Sequence, residues 1–166
     1  DFTDNADGTI TDNATGLMWS KNDSGSGMLW GSALAYVQQL NASNYLGYSD
    51  WRLPNAKEMQ SILDYARAPG ATGSGAIDPI FNITEISNEG GQVDYPWFWT
   101  STTHARSDGS GAAGVYICFG RCTGYMNGSW MDVHGAGAHA GQGILRRPDA
   151  LVGHDGDPHH GRRERL

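Results

Sequence analysis

Turn-forming residues cut this chain so often that helical periodicity can run in only two places. Glycine alone fills 24 of the 166 positions, and Asn, Asp, Ser and Pro punctuate much of the rest, each favouring turns for its own backbone reason. The first uninterrupted stretch runs from about Trp30 to Asn41. There Ala33, Val37 and Leu40, with Trp30 and Tyr36 alongside, recur at spacings of three and four, which predicts a helix. The second starts after Pro54. Asn55 stands as N-cap, Glu58 three residues on completes a capping box, and Met59, Ile62, Leu63 and Ala66 form an apolar stripe that Pro69 and the glycines of 70–75 end. Everything else reads as short strands. Phe2 to Asn5 returns through Asp7-Gly8 to Thr9-Ile10-Thr11, and Leu17-Met18-Trp19 follows a second turn. Pro96 to Thr102 forms an aromatic strand, Val115 to Phe119 and Cys122 to Met126 a hairpin, and Trp130 to His134 a last strand. The pattern predicts an α+β fold: two helices packed on small antiparallel sheets with long loops.

A chain of this length suits one domain and can remove about 70% of its unfolded surface from water, so a core is feasible without staples. No apolar run reaches the length a bilayer demands, and membrane insertion is not expected. The formal net charge is −7, with only Lys21 and Lys57 as lysines. Binding a phosphate backbone needs clustered cations, so nucleic acid is not an expected partner. The chain opens directly on Asp1-Phe2-Thr3-Asp4 without a leader pattern, as a mature or excised domain would.

Cys118 and Cys122 flank Phe119-Gly120-Arg121. A hairpin turning through those three residues would set the sulfurs across a ladder, at a separation of about 4.5 Å between Cα atoms that a disulfide tolerates. Free structural thiols and a metal or redox role are the alternatives, and two ligands are too few for a structural zinc site.

Three further groups invite a functional reading. Trp130, Asp132 and His134 alternate, so a strand would present them on one face: an indole platform, a carboxylate acceptor and an imidazole able to hold a sugar. A plain surface or subunit contact is the competing reading. Asp4, Asn5, Asp7, Gly8 and Asp12 resemble the start of a calcium loop, yet aligning Gly8 with the loop glycine puts Thr3 and Ala14 where the outer carboxylates belong. A hairpin turn accounts for them at less cost, so no cofactor is expected, with calcium as the minor alternative and no metal ligands assigned. Asp50 and Arg52 flank Trp51 and could embrace a ligand, or could bond backbone while Trp51 and Leu53 point inward. Trp97 and Trp99 share a face opposite Phe98, a pattern that suits core packing more than a platform. His104 and Arg106 follow in a polar loop with Asp108, and no nucleophile stands in a catalytic context: Ser101 lacks a Gly-x-Ser-x-Gly setting, and no phosphate loop is present.

Three blocks in order resemble a bacterial family. Asp4-Asn5-Ala6-Asp7-Gly8-Thr9-Ile10-Thr11-Asp12-Asn13-Ala14-Thr15-Gly16-Leu17-Met18-Trp19 looks like its opening signature, Gly47-Tyr48-Ser49-Asp50-Trp51-Arg52-Leu53-Pro54-Asn55-Ala56-Lys57-Glu58 like its most specific block, and Trp99-Thr100-Ser101-Thr102 like its third. The family is that of the Lcl C-terminal domain, named for the adhesive tip of a collagen-like protein. The resemblance covers residues 2–138 and implies a C-type-lectin-like or formylglycine-generating-enzyme-like fold on a secreted or surface-attached protein. It implies a homo-oligomer, a trimer in a member that binds sulfated glycosaminoglycans; the acidity of this chain departs from that member. Residues 1–138 are accordingly read as the family domain. Residues 139–166 form an atypical Gly/His/Arg-rich tail, where Arg146, Arg147, Arg162, Arg163 and Arg165 gather. The tail is either disordered or the product of a reading-frame change shortly after Gly137, and in both cases a sheet would lack its closing edge strand.

The expected function is non-catalytic recognition or adhesion at the cell exterior, with a polysaccharide or cell-surface glycan as partner. The alternatives are a structural or oligomerisation module without a small ligand, and, further off, a thiol/copper oxidoreductase of the formylglycine-generating kind built on Cys118 and Cys122.

Overall fold

The computed structural model describes residues 1–104, 113–141 and 150–155. In chain order the elements are β1 (Phe2–Asp4), β2 (Thr9–Asp12), β3 (Leu17–Ser20), α1 (Trp30–Ala42), α2 (Ala56–Ser61), β4 (Ile86–Ser87), β5 (Val93–Asp94), β6 (Trp97–His104), β7 (Ala113–Cys118), β8 (Thr123–Met126), β9 (Ser129–Asp132), β10 (His139–Gly141) and β11 (Gly153–Asp155). They make four antiparallel sheets: β1-β2-β3-β11, β10-β7-β6, and the pairs β4-β5 and β8-β9. The α+β class with two helices and small sheets is as the sequence predicts. No helix among the described residues is long and apolar enough to cross a membrane.

The pair β6-β7 divides the interior. Its register sets Trp97 opposite Cys118, Phe98 opposite Ile117 and Trp99 opposite Tyr116. Because side chains alternate across a strand, Trp97, Trp99, Tyr116 and Cys118 fall on one face, where they pack with Ala33, Val37 and Leu40 of α1 and with Trp51 and Leu53. Phe98 and Ile117 fall on the other, with Met59 of α2 and with Ile10 and Trp19 of the β1-β2-β3 sheet. A sheet covered on both faces reads as a continuous apolar run, and Trp97, Phe98 and Trp99 are all buried. These rings are core, not a platform.

A register shift between Trp99 and Thr103 lets the Trp-Thr-Ser-Thr block stitch both helices to the sheet. The Trp30 indole N–H donates to the Thr100 carbonyl at 2.9 Å, and the Ala56 N–H donates to Thr102 Oγ1 at 3.0 Å. The Ser101 N–H reaches the Pro54 carbonyl at 2.8 Å. At the start of α2, the Asn55 side chain accepts from the Glu58 N–H, and the Glu58 carboxylate accepts from the Asn55 N–H at 2.8 Å, so the capping box is present.

Three expectations need correction. The second helix ends at Ser61, not near Pro69. Leu63 leaves it to bridge Ile77, and the Asp64 N–H bonds the Ala76 carbonyl, so strand-like pairing wins over the last turn of an apolar stripe. Residues 115–119 and 122–126 do not pair with each other. The Phe119 N–H donates to the Pro96 carbonyl and the Phe119 carbonyl accepts from Ala76, which pulls β7 into the central sheet and frees β8 to pair with β9. Finally, the β1-β2-β3 sheet does not end at β3. Gly153 pairs with Trp19 in β11 and bridges Arg52, and Ala150, Leu151 and Val152 are buried. The loop holding Arg106 and Asp108, and residues 142–149 and 156–166 of the tail, lie outside the described residues.

Candidate functional site

The β8-β9 hairpin is the one place among the described residues where an indole and a phenol stack in the open. Its turn is Asn127-Gly128, with φ of 52° and 83°. Two successive left-handed residues match the twist of the flanking strands. The two-residue turn then fixes the register: Tyr125 opposite Trp130, and Thr123 opposite Asp132. These four residues share one face. The Tyr125 and Trp130 rings meet edge-on, with centroids 5.4 Å apart at 66°, a favoured aromatic geometry. Tyr125 is 62% exposed and Trp130 half-buried. The reverse face carries Gly124, Met126, Ser129 and Met131, of which Met126 and Met131 are exposed.

The hairpin is footed on the core at three points. Cys118 and Cys122 are joined by a disulfide with Cα atoms 5.8 Å apart, and both are buried. The bridge spans the bend between β7 and β8 instead of crossing a ladder. Beneath it, Asp94 is fully buried. Its Oδ1 accepts from the backbone N–H of Tyr95 at 2.8 Å and of Arg121 at 2.7 Å, while Oδ2 accepts from the Asn88 amide at 3.2 Å. Asn88 Oδ1 in turn accepts from the N–H groups of Gly90 and Gln92. This network shapes the turn between β4 and β5, which then meets the hairpin: Thr123 Oγ1 donates to Glu89 Oε2 at 2.9 Å, and Gly90 lies against the Trp130 Cβ.

Of the predicted trio, Trp130 and Asp132 sit together on β9. His134 does not join them by strand alternation, because β9 ends at Asp132. There Asp132 Oδ1 accepts from the Gly135 N–H at 2.6 Å, which turns the chain through Val133 and His134. Both Asp132 and His134 are exposed. Tyr125 is the partner the sequence reading missed. The Asn-Gly pair carried the signal, since a two-residue turn there sets Tyr125 against Trp130 by counting alone.

The Asp4-to-Asp12 cluster folds as turns. Asp4 Oδ1 accepts from the Ala6 N–H, and its Oδ2 meets Lys21 Nζ at 2.6 Å. The hydrogen-bonded Lys21 ammonium, helped by that N–H, holds the Asp4 carboxyl below its usual pKa. Asp7 Oδ1 accepts from the Thr9 N–H and hydroxyl, and Asp12 from the Ala14 N–H and the Thr15 hydroxyl. Carboxylates so engaged are turn-formers first.

A cleft of about 480 Å³ opens between α1 and α2, lined by Val37, Trp51, Leu53, Arg52, Asn55 and Glu58 among others. Its polar groups hold the fold. The Arg52 guanidinium grips Glu58 with two bonds of 2.7 and 2.9 Å. Asn41 bonds the Trp51 backbone both ways, at 2.9 and 2.7 Å. Trp51 and Leu53 point inward, as the structural reading of that block has it, while the Arg52 side chain meets the Glu58 carboxylate, a partner that reading did not name.

The fold thus rests on its Trp-Arg-Leu-Pro block and on the Trp-Thr-Ser-Thr stitch, and a family profile named Lcl C-terminal domain matches residues 8–134. The chain belongs to the Lcl C-terminal domain family. The match takes in α1, α2, the central β6-β7 pair and the whole β8-β9 hairpin of this Lcl C-terminal domain. No curated protein and no solved structure matches the chain.

Proposed function

We propose that this chain is a non-catalytic recognition domain acting at the cell exterior, and that the Tyr125–Trp130 face of the β8-β9 hairpin holds a glycan. The observation that carries the reading is the edge-on ring pair at the surface, Tyr125 exposed and Trp130 half-buried. The remaining indoles are buried or half-buried and contribute to packing, whereas Tyr125 leaves most of its surface in water. A sugar ring laid on such a pair buries its C–H face on the aromatics and turns hydroxyls toward the exposed Asp132. The arrangement of two helices on small antiparallel sheets, with long connections between β3 and β6, supports a C-type-lectin-like architecture. The disulfide supports an oxidising compartment. The bridged, buried sulfurs favour recognition over thiol chemistry, because a thiolate must be free and accessible to react.

A glycan array at physiological salt tests this. The wild-type domain should bind at least one class of oligosaccharide, and Trp130→Ala or Tyr125→Ala should weaken that binding about tenfold, the loss of one stacked ring. Binding unchanged by both substitutions would remove the site.

The reverse face favours a second reading. Met126 and Met131, both exposed, would suit a contact between copies, and a trimer would multiply modest single-site affinities. Complete silence of the folded protein on the array, with a concentration-dependent oligomer in sedimentation, would favour an assembly role alone.

A further inference from the structure

We infer that Asn127 is a self-modification site: the Gly128 nitrogen attacks its side chain and expels ammonia, and the isoaspartyl product uncouples Tyr125 from Trp130. The chemistry does not depend on the glycan reading, and its readouts are covalent and structural. Asn127 is the one asparagine of the chain that precedes a glycine. A glycine nitrogen has no Cβ beside it and its backbone rotates freely, so it can approach a neighbouring carboxamide. Both residues are exposed, and open space surrounds Gly128. Among the described residues, neither the Asn127 carboxamide nor the Gly128 N–H makes a hydrogen bond.

No other asparagine combines these conditions. The side chains of Asn5, Asn41, Asn55, Asn82 and Asn88 are tied into hydrogen bonds. Asn44 shares the left-handed backbone, with φ of 53°, but precedes Tyr45, whose side chain crowds the attacking nitrogen. The turn must open for the attack, and its setting permits that. Strands β8 and β9 form a two-stranded pair, marginal by itself, and the turn lies at the end away from the Cys118–Cys122 footing.

In the reaction the Gly128 nitrogen bonds to Asn127 Cγ, the Cγ–Nδ2 bond breaks, and Nδ2 leaves as ammonia with the amide proton. The cyclic imide then takes up a water. Opening at Cγ gives aspartate with the backbone unchanged. Opening at the main-chain carbonyl gives isoaspartate, with the chain rerouted through Cβ and Cγ and so lengthened by an atom. No oxidant, reductant or cofactor enters. The two-residue turn closes on the Met126–Ser129 pair and thereby sets Tyr125 opposite Trp130. A lengthened turn loses the paired left-handed residues that match the strand twist, and with them the register that holds the rings 5.4 Å apart.

The test holds the folded wild type, Asn127→Gly and Asn127→Asp at mildly alkaline pH for weeks, beside wild type in denaturant. Peptide mass mapping locates lost ammonia, enzymatic methylation counts isoaspartyl carboxylates, and NMR follows the contact between the Tyr125 ring and the Trp130 indole. In the folded wild type, modification at Asn127 should exceed that at the remaining asparagines combined, with isoaspartate the larger product. The ring contact should fade in proportion to the isoaspartyl fraction. N127G, whose glycine pair suits the same turn, should keep the contact throughout, and freshly prepared N127D should keep it despite the added charge. Modification confined to the denatured sample, or spread evenly over other asparagines, would overturn the site. Isoaspartate with the ring contact intact, or a contact already lost in fresh N127D or fading equally in N127G, would overturn the uncoupling.

Discussion

Gly120 shows how a single residue holds the site in place. It sits between the two cysteines, and a methyl there would run into the Asp94 carboxylate and lie 2.6 Å from the Tyr95 carbonyl oxygen. Asp94 is buried and held by the Tyr95 and Arg121 N–H groups and the Asn88 amide, so it has nowhere to retreat. Gly120→Ala should therefore cost about 2–3 kcal/mol, the range of overpacked core positions, measured by denaturant unfolding; a cost under 0.5 kcal/mol would show that the clamp yields. Tyr116 makes the opposite point. Its ring stacks on Trp97, with centroids 5.1 Å apart, yet its hydroxyl is buried without a hydrogen-bond partner among the described residues. Desolvation pushes its pKa up to about 12. The folded state thus keeps a proton that the unfolded chain releases near pH 10. The contribution is fully present below pH 10 and is lost as pH climbs toward 12, where unfolding should become easier by about 2 kcal/mol, at roughly 1.4 kcal/mol per pKa unit. Tyr116→Phe should flatten that alkaline slope, of which Tyr36 and Tyr95, also raised by desolvation, keep a share, and raise stability by about 1 kcal/mol, since an orphaned buried hydroxyl is a cost. A destabilised Phe variant would mean that the hydroxyl is satisfied.

At the scale of elements, the hairpin depends on its footing more than on its own ladder, because an isolated two-stranded pair is marginal in water. Reducing the Cys118–Cys122 bridge should lower global stability by about 2 kcal/mol on the loop-entropy account. It should also raise amide exchange in β8 and β9 more than in β6 and β7. Uniform exchange across all four strands would show that the bridge does not anchor the hairpin. Much of this level was legible in the sequence. The spacing of Ala33, Val37 and Leu40 located α1, and Asn55 with Glu58 located the start of α2. What failed were the ends and partners. Nothing local in Leu63 or Ala66 announces that the chain will leave α2 to pair with Ile77. The separation of β7 from β8 depends on Phe119 bonding Pro96 and Ala76, contacts far away in sequence. His134 was misplaced for a local reason: the Asp132 side chain caps a turn, and alternation cannot be counted through it.

For the molecule as a whole, the core is two cores back to back, and the last described segment locks them. Leu151 packs with Phe98 and Ile117, Ala150 and Val152 pack with Trp97 and Trp99, and β11 extends the sheet beyond β3. Leu151→Ala should cost 2–5 kcal/mol, as for other fully enclosed leucines, and should show as a lowered midpoint in denaturant. A change below 1 kcal/mol would mean that this segment does not contribute to the core. Composition could not foresee the role of Ala150-Leu151-Val152, because three apolar residues in a Gly/His/Arg-rich stretch carry no periodicity. The density of indole and phenol rings was legible, but its meaning was not: Trp19, Trp51, Trp97, Trp99 and Tyr116 fill the interior, and register, set by Asn127-Gly128, brings Tyr125 and Trp130 together at the surface.

The most direct test of that distinction reads the six indole N–H resonances of the labelled protein while the tightest-binding oligosaccharide of the array is added, with Trp130 assigned from Trp130→Phe. The Trp130 resonance should shift in proportion to occupancy while those of the buried Trp19, Trp51, Trp97 and Trp99 stay in place. Saturable binding that leaves Trp130 unmoved would contradict it.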